Sequence, residues 1–152
     1  MPRTDELYRL IYISTAVRPF TREDLRDLVD DAARRNRRRG LTGMLCYYAG
    51  DFLQIIEGPH DTLARLWETV RRDARHTWVQ RLFWGPTAQR MFGPWDMGLC
   101  DIREHEGEAR PEFYTIARFL SHCPGLDGDA VAAGLLAHFR SLSEGGVEVE
   151  RF

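Results

Sequence analysis

The alternation of apolar and polar positions divides the chain into strands and amphipathic helices. Residues Leu7 to Ser14 (LYRLIYIS) are rich in aromatic and β-branched side chains and read as a buried strand. Two-residue alternation puts Tyr8, Leu10, Tyr12 and Ser14 on one face, and Leu7, Arg9, Ile11 and Ile13 on the other. After Pro19, Thr21-Arg-Glu-Asp24 reads as a variant capping box that opens a helix. Leu25, Leu28, Val29 and Ala32 then recur at helical spacing, and Asn36 extends their stripe by one more turn. Gly40 is the expected stop.

Two strands follow, Leu41 to Tyr48 and Phe52 to Glu57, joined through Ala49-Gly50-Asp51 as a hairpin. Gly58-Pro59-His60-Asp61 should break the sheet, with Asp61 capping a second helix whose stripe is Leu63, Leu66, Trp67 and Val70. Trp78 to Trp84 and Trp95 to Cys100 are two further strand candidates. The order β-α-β-β-α-β-β predicts an α+β, ferredoxin-like sandwich with two helices on one face of a mixed sheet.

From about Arg103 the pattern changes, and Pro111 to Leu120 and Asp129 to Leu142 predict two extra C-terminal helices. We therefore expect one unit over residues 1–102 and a helical extension over residues 103–152. The sheet face carrying Leu7, Ile11, Ile13, Leu53 and Ile55 needs an apolar cover, which the extension or a partner subunit would supply. The extension's stripe of Phe113, Ile116, Ala117 and Leu120 suits core or subunit packing better than a membrane.

Composition narrows the function classes. At 152 residues, 43% hydrophobic and 29% charged, the chain has the make-up of an ordinary globular domain. A net charge of −2 argues against a sequence-blind grip on nucleic acid, although every one of the 21 basic residues is arginine. The run from Arg34 to Arg39 lies at a helix C-terminus, where cations are favoured. Cys46, Cys100 and Cys123 show neither zinc nor disulfide spacing. The first ten residues lack a leader's apolar stretch, and we expect a reduced, cytoplasmic, membrane-free protein.

The informative residues are polar ones on core faces. Tyr12 shares its face with Leu10, Gln54 shares its face with Phe52 and Ile56, and Asn36 ends the buried helical stripe. A buried amide without a partner costs about 1–3 kcal/mol, so a set of such groups between helices and sheet points to a polar ligand inserted there.

These residues, with Gly40-Leu41-Thr42-Gly43, Glu57-Gly58-Pro59, Arg72-Asp73-Ala74-Arg75-His76, Arg90-Met91-Phe92 and Trp95-Asp96-Met97, resemble a BLUF domain over about residues 6–102. That family senses blue light with a flavin. The resemblance implies a noncovalently held flavin between the two helices, FAD in cells with FMN as an alternative. It implies that Tyr12 is the photochemical electron and proton donor, and that Gln54 lies between it and the ring.

By the same resemblance Asn36 bonds the pyrimidine edge, while Asp73, Arg75 and His76 stand at the flavin end of the second helix. Ser14 joins the Tyr–Gln network. Trp95 and Met97 match the pair on the last strand that exchanges places with light, and which of them faces the ring stays open. Arg35 stands where many members carry Asn or His, Thr69 where some carry a basic residue, and Leu41 where Ile is commoner. The implied role is a photoreceptor, not an enzyme, acting through a homo-oligomer and a protein partner. The alternatives are a flavin-dependent oxidoreductase, which no nicotinamide or substrate motif supports, and a flavin-free hydrolase or RNA-binding domain, whose signatures are absent.

Overall fold

The computed structural model describes residues 3–48, 50–93, 96–101 and 149–151. Strand β1 (Leu7–Ala16) leads to helix α1 (Arg22–Arg39), the hairpin β2 (Thr42–Tyr48) and β3 (Asp51–Pro59), and helix α2 (His60–Val70). Then come β4 (His76–Pro86), β5 (Gly98–Asp101) and β6 (Val149–Arg151). The sheet order is β4-β1-β3-β2-β5-β6. Its first four strands are antiparallel neighbours, and β5 joins β2 in parallel. This is the expected ferredoxin-like arrangement, in which two βαβ units interleave.

Local chemistry sets the helix ends. Thr21 Oγ1 accepts from the Asp24 amide at 3.0 Å, and the Thr21 amide donates to Asp24 Oδ2 at 2.9 Å, so the capping box forms with Asp in place of Glu. At the other end Gly40 takes the left-handed conformation with φ 69°, which glycine reaches without strain.

Asp61 is not the cap of α2. Strand β3 runs on through Pro59, which takes that position, and the first helical amides are satisfied by backbone instead. His60 N–H donates to the Glu6 carbonyl at 2.8 Å and Asp61 N–H to the Thr4 carbonyl at 3.3 Å. Asp61 still places a negative charge in the first turn, and its Oδ1 lies 2.8 Å from His60 Nδ1.

Strand β4 is longer than the expected Trp78–Trp84 and is bulged. Its register against β1 slips between Ile11 and Tyr12 and again between Ile13 and Thr15. At the second slip Trp78 adopts φ 55° and lies exposed. Strand β5 starts at Gly98 rather than at Trp95, which lies outside the described residues. The two expected C-terminal helices and Cys123 also lie outside them, whereas β6 was not expected at all.

The core lies between the helices and one sheet face, built from Leu10, Tyr12, Leu25, Val29, Ala33, Phe52, Ile56, Leu63 and Leu66. Ile11, Leu53 and Ile55 on the opposite face are fully buried as well. The α1 stripe is shifted slightly: Ala33 is buried, while Leu28 and Ala32 are only partly so because they face a cavity.

Gly43 packs so close to β3 that a β-carbon there would fall on the carbonyl oxygen of Ile55. That obstacle is backbone, which no side-chain rotation can clear. Gly43→Ala should therefore destabilise the protein by about 1–3 kcal/mol, read as a lower urea midpoint at unchanged slope.

Candidate functional site

Tyr12 and Gln54 are directly paired across β1 and β3. Both are buried, and both point toward the helices. The Tyr12 hydroxyl donates to Gln54 Oε1. The other end of that amide, Nε2, points at the Met97 sulfur 3.7 Å away. A thioether is a weak acceptor, so the carboxamide is held firmly at one end and loosely at the other.

Burial pushes the Tyr12 phenol well above its ordinary range. Arg35 and Arg75 pull it partly back, and Asp73 adds to the rise. The phenol accordingly keeps its proton at neutral pH and serves as a donor.

A cavity of about 190 Å³ opens beside this pair, between α1, α2 and the sheet. Leu28, Ala32 and Arg35 form its α1 wall, and Thr69 and Val70 come from α2. Leu45, Phe52, Gln54 and Met97 line the sheet side. An outer cleft of about 470 Å³ shares Phe20, Leu28, Asp31 and Arg75 with it. Apolar walls with a few convergent polar groups are the ordinary make-up of a small-molecule site.

The loop after α2 supplies the rest. Asp73 accepts from the Arg75 amide at 2.9 Å and from its guanidinium at 3.0 and 2.5 Å. The Arg75 guanidinium beside it holds the Asp73 carboxyl below the usual carboxylate range, against the opposing pull of burial. His76 Nε2 lies 2.6 Å from the Val70 carbonyl, which can only accept, so that nitrogen carries the proton. Its Nδ1 then accepts from Ser14 Oγ at 2.8 Å. His76 pairs with Ala16 on β1, just beyond the second register slip of β4.

Of the residues expected at a cofactor, Tyr12, Arg35, Gln54, Asp73, Arg75, His76 and Met97 line the cavity. Asn36 does not, and Ser14, expected in the Tyr–Gln network, lies outside the lining as well. Asn36 is fully buried, and its Nδ2 donates to the Asp96 carbonyl at 2.8 Å. Met97 is fully buried against Gln54, whereas Trp95 lies outside the described residues. Thr69 bonds the Arg65 carbonyl at 3.3 Å.

The sequence reading gave no role to one feature, an ionic cluster on the opposite sheet face. Arg9 donates from Nε and Nη2 to Glu57 Oε2 at 3.3 and 3.1 Å, with both side chains fully buried. Glu57 also accepts from Thr42 and from the amides of Met91 and Phe92, the last at 2.6 Å. The cluster thereby ties down Met91 and Phe92. Its signal in the sequence was two opposite charges, Arg9 and Glu57, on otherwise apolar strand faces.

Two orphaned atoms test whether a flavin suits the pocket. Among the described residues, Arg35 Nε on the cavity lining and Asn36 Oδ1, on the next residue of α1 outside that lining, are buried without a hydrogen-bond partner, one a donor and one an acceptor. The imide edge of an isoalloxazine offers an N–H beside carbonyl oxygens, which is the complement. The spare N–H of Gln54 can serve a ring nitrogen or carbonyl. The residues present fit a flavin.

Fold and site thus define a receptor for a planar, hydrogen-bonding ring, built around a Tyr–Gln pair. Comparison with known proteins agrees: residues 7–98 match the BLUF family, sensors of blue-light using FAD. The chain belongs to that family and is a flavin-binding blue-light photoreceptor. It is 40% identical over 86 residues to photoactivated adenylate cyclase subunit beta of Euglena gracilis, covering 57% of this chain and 10% of that protein. It is 32% identical over 82 residues to the blue light- and temperature-regulated antirepressor BluF of Escherichia coli, covering 54% of this chain and 20% of that one.

Among solved structures, the dark state of the BLUF protein BlrB superposes with TM-score 0.66 at 27% identity, over 94% of this chain and 99% of that one. Klebsiella pneumoniae BlrP1, solved with FMN and cyclic diGMP, gives 0.62 at 29% identity over 76% of this chain and 35% of that one. The chain spans about a tenth of the length of the cyclase subunit it matches. Among the described residues no helix is long and apolar enough to cross a membrane, and no cluster of metal ligands occurs.

Proposed function

We propose that residues 1–102 sense light through the Tyr12–Gln54–Met97 array and that residues 103–152 carry the signal to a second copy or to a partner protein. A bound flavin would supply an excited state that draws one electron from a nearby donor. Tyr12 is that donor, and loss of the electron makes its phenolic proton acidic, so the proton leaves through the Gln54 amide. Gln54 then reorients. Its grip on Met97 is a weak N–H···S contact, and its firmer bond to Tyr12 is lost once the phenol has given up its proton, so the amide is free to turn and offer an N–H to the cofactor. Electron and proton then both return to Tyr12, which leaves no net oxidation.

Asn36, with Arg35 beside it, holds the imide edge. Ser14 and His76 fix the corner behind Tyr12, and Asp73 and Arg75 close the mouth. Trp95 belongs with Met97 as the element that repacks. The chain acts as a switch with no chemical turnover of its own, in the cytoplasm, and it takes FAD, with FMN an acceptable substitute.

The observation that carries this reading is the oriented Tyr12–Gln54–Met97 chain beside the cavity. A blue flash on the purified yellow protein should shift its flavin absorption to the red and leave no net reduction, with recovery in darkness. Bleaching by NADH in the dark would instead mark an oxidoreductase, and failure to take up FAD or FMN would refute the flavin site.

A further inference from the structure

Among the described residues Arg35 makes no ion pair, unlike Asp31, Asp73 and Arg75 at the same pocket. It lines the cavity, and its buried Nε has no partner. Asp73 is committed to Arg75 by a two-point ion pair. Asp31, one turn earlier on α1, lies 3.7 Å from Arg34, which also bridges to Asp30. Of the other charges that act on it, Arg39 and Arg75 oppose the Arg35 cation, while Asp73 favours it from within its own pair with Arg75.

Burial and the nearby Arg39 both disfavour its charge, yet a guanidinium does not give up its proton in a protein. Arg35 is also the strongest charge acting on the Tyr12 phenol, which puts it within electrostatic reach of the photoactive pair.

We propose that Arg35 tunes the bound flavin's redox balance, as a fixed cation in the pocket wall that favours the reduced, anionic ring over the oxidised, neutral one. This inference rests on the flavin reading above. Two electrons from a reductant and one proton from solvent convert the neutral oxidised ring to a singly charged anion. A cation in a poorly screened site attracts that anion far more than it attracts the neutral ring. Tighter binding of one redox state is, by linkage, a shift of the midpoint potential toward that state.

The full chain, loaded with FMN, is titrated in oxidised form and in dithionite-reduced form, and its midpoint potential is measured against a redox dye. The native protein should prefer reduced over oxidised FMN at least tenfold more strongly than Arg35→Gln does. Arg35→Met should match the Gln variant, and Arg35→Lys should keep most of the native preference. Arg34→Gln, one residue away but exposed, should change nothing. Equal preference and equal potential in the native protein and in the folded Gln or Met variant overturn the role of Arg35 alone. A native chain that binds neither form overturns this role and the flavin reading together.

Discussion

Replacing Gln54 with leucine abolishes the light-induced red shift while leaving the flavin bound. Leucine nearly matches glutamine in volume, so the wall between Phe52 and Met97 stays filled. It offers neither the oxygen that receives the Tyr12 hydroxyl nor an N–H that can turn toward the ring. The buried phenol then lacks its acceptor, at a cost of about 1–3 kcal/mol in stability. Arg35 and the apolar walls still line the cavity. Light-minus-dark spectra at equal flavin content measure the effect. Gln54→Glu is the informative companion, because it keeps an acceptor for Tyr12 and, once it takes the phenolic proton, has an O–H donor in place of the N–H, so it should retain a weakened response. A native-sized red shift in the leucine variant would mean that the amide is not the moving part.

Much of this site could be read from the sequence because its central pair is set by two-residue periodicity. Tyr12 and Gln54 each fall on the apolar face of a strand, and the hairpin between β2 and β3 leaves β3 beside β1. The Thr21 cap and the Gly40 stop were equally legible, since both act within one turn of their own helix. What escaped was nonlocal. The start of α2 is satisfied by carbonyls of Thr4 and Glu6, more than fifty residues earlier, so the nearest acidic side chain was mistaken for the cap.

The bulges of β4 are register slips against β1, and no composition cue marks them. Strand β6 is three residues drawn from the far end of the chain, too short to show a period. The exposure of Leu28 and Ala32 has a related cause: helical spacing shows which residues face inward but cannot distinguish a packed interior from a ligand cavity.

The largest stability effect is expected on the face away from the cavity. Glu57→Leu removes the carboxylate that Arg9 grips through Nε and Nη2 and leaves that side of a fully buried guanidinium unmatched. Breaking such a pair from one side costs about 3–5 kcal/mol, a large share of the roughly 5–15 kcal/mol that holds a domain folded. The amides of Met91 and Phe92 lose their acceptor in the same step. Arg9→Met alone should be costly too, because it leaves the carboxylate buried with only neutral donors. The double variant, Arg9→Met with Glu57→Leu, should be more stable than the sum of the two losses predicts, as it leaves no unpaired charge. Urea unfolding of the four proteins tests this directly, and strict additivity would mean that Arg9 and Glu57 act separately.

The cluster should also be felt across the sheet. Glu57 lies three residues from Gln54 on β3 and binds the amides of Met91 and Phe92, a few residues ahead of Met97, so it adjoins both partners of the N–H···S contact in the chain. Glu57→Gln, mild enough to fold, should therefore alter the dark-recovery rate although its side chain faces away from the flavin. An unchanged rate in that variant would confine the cluster to stability.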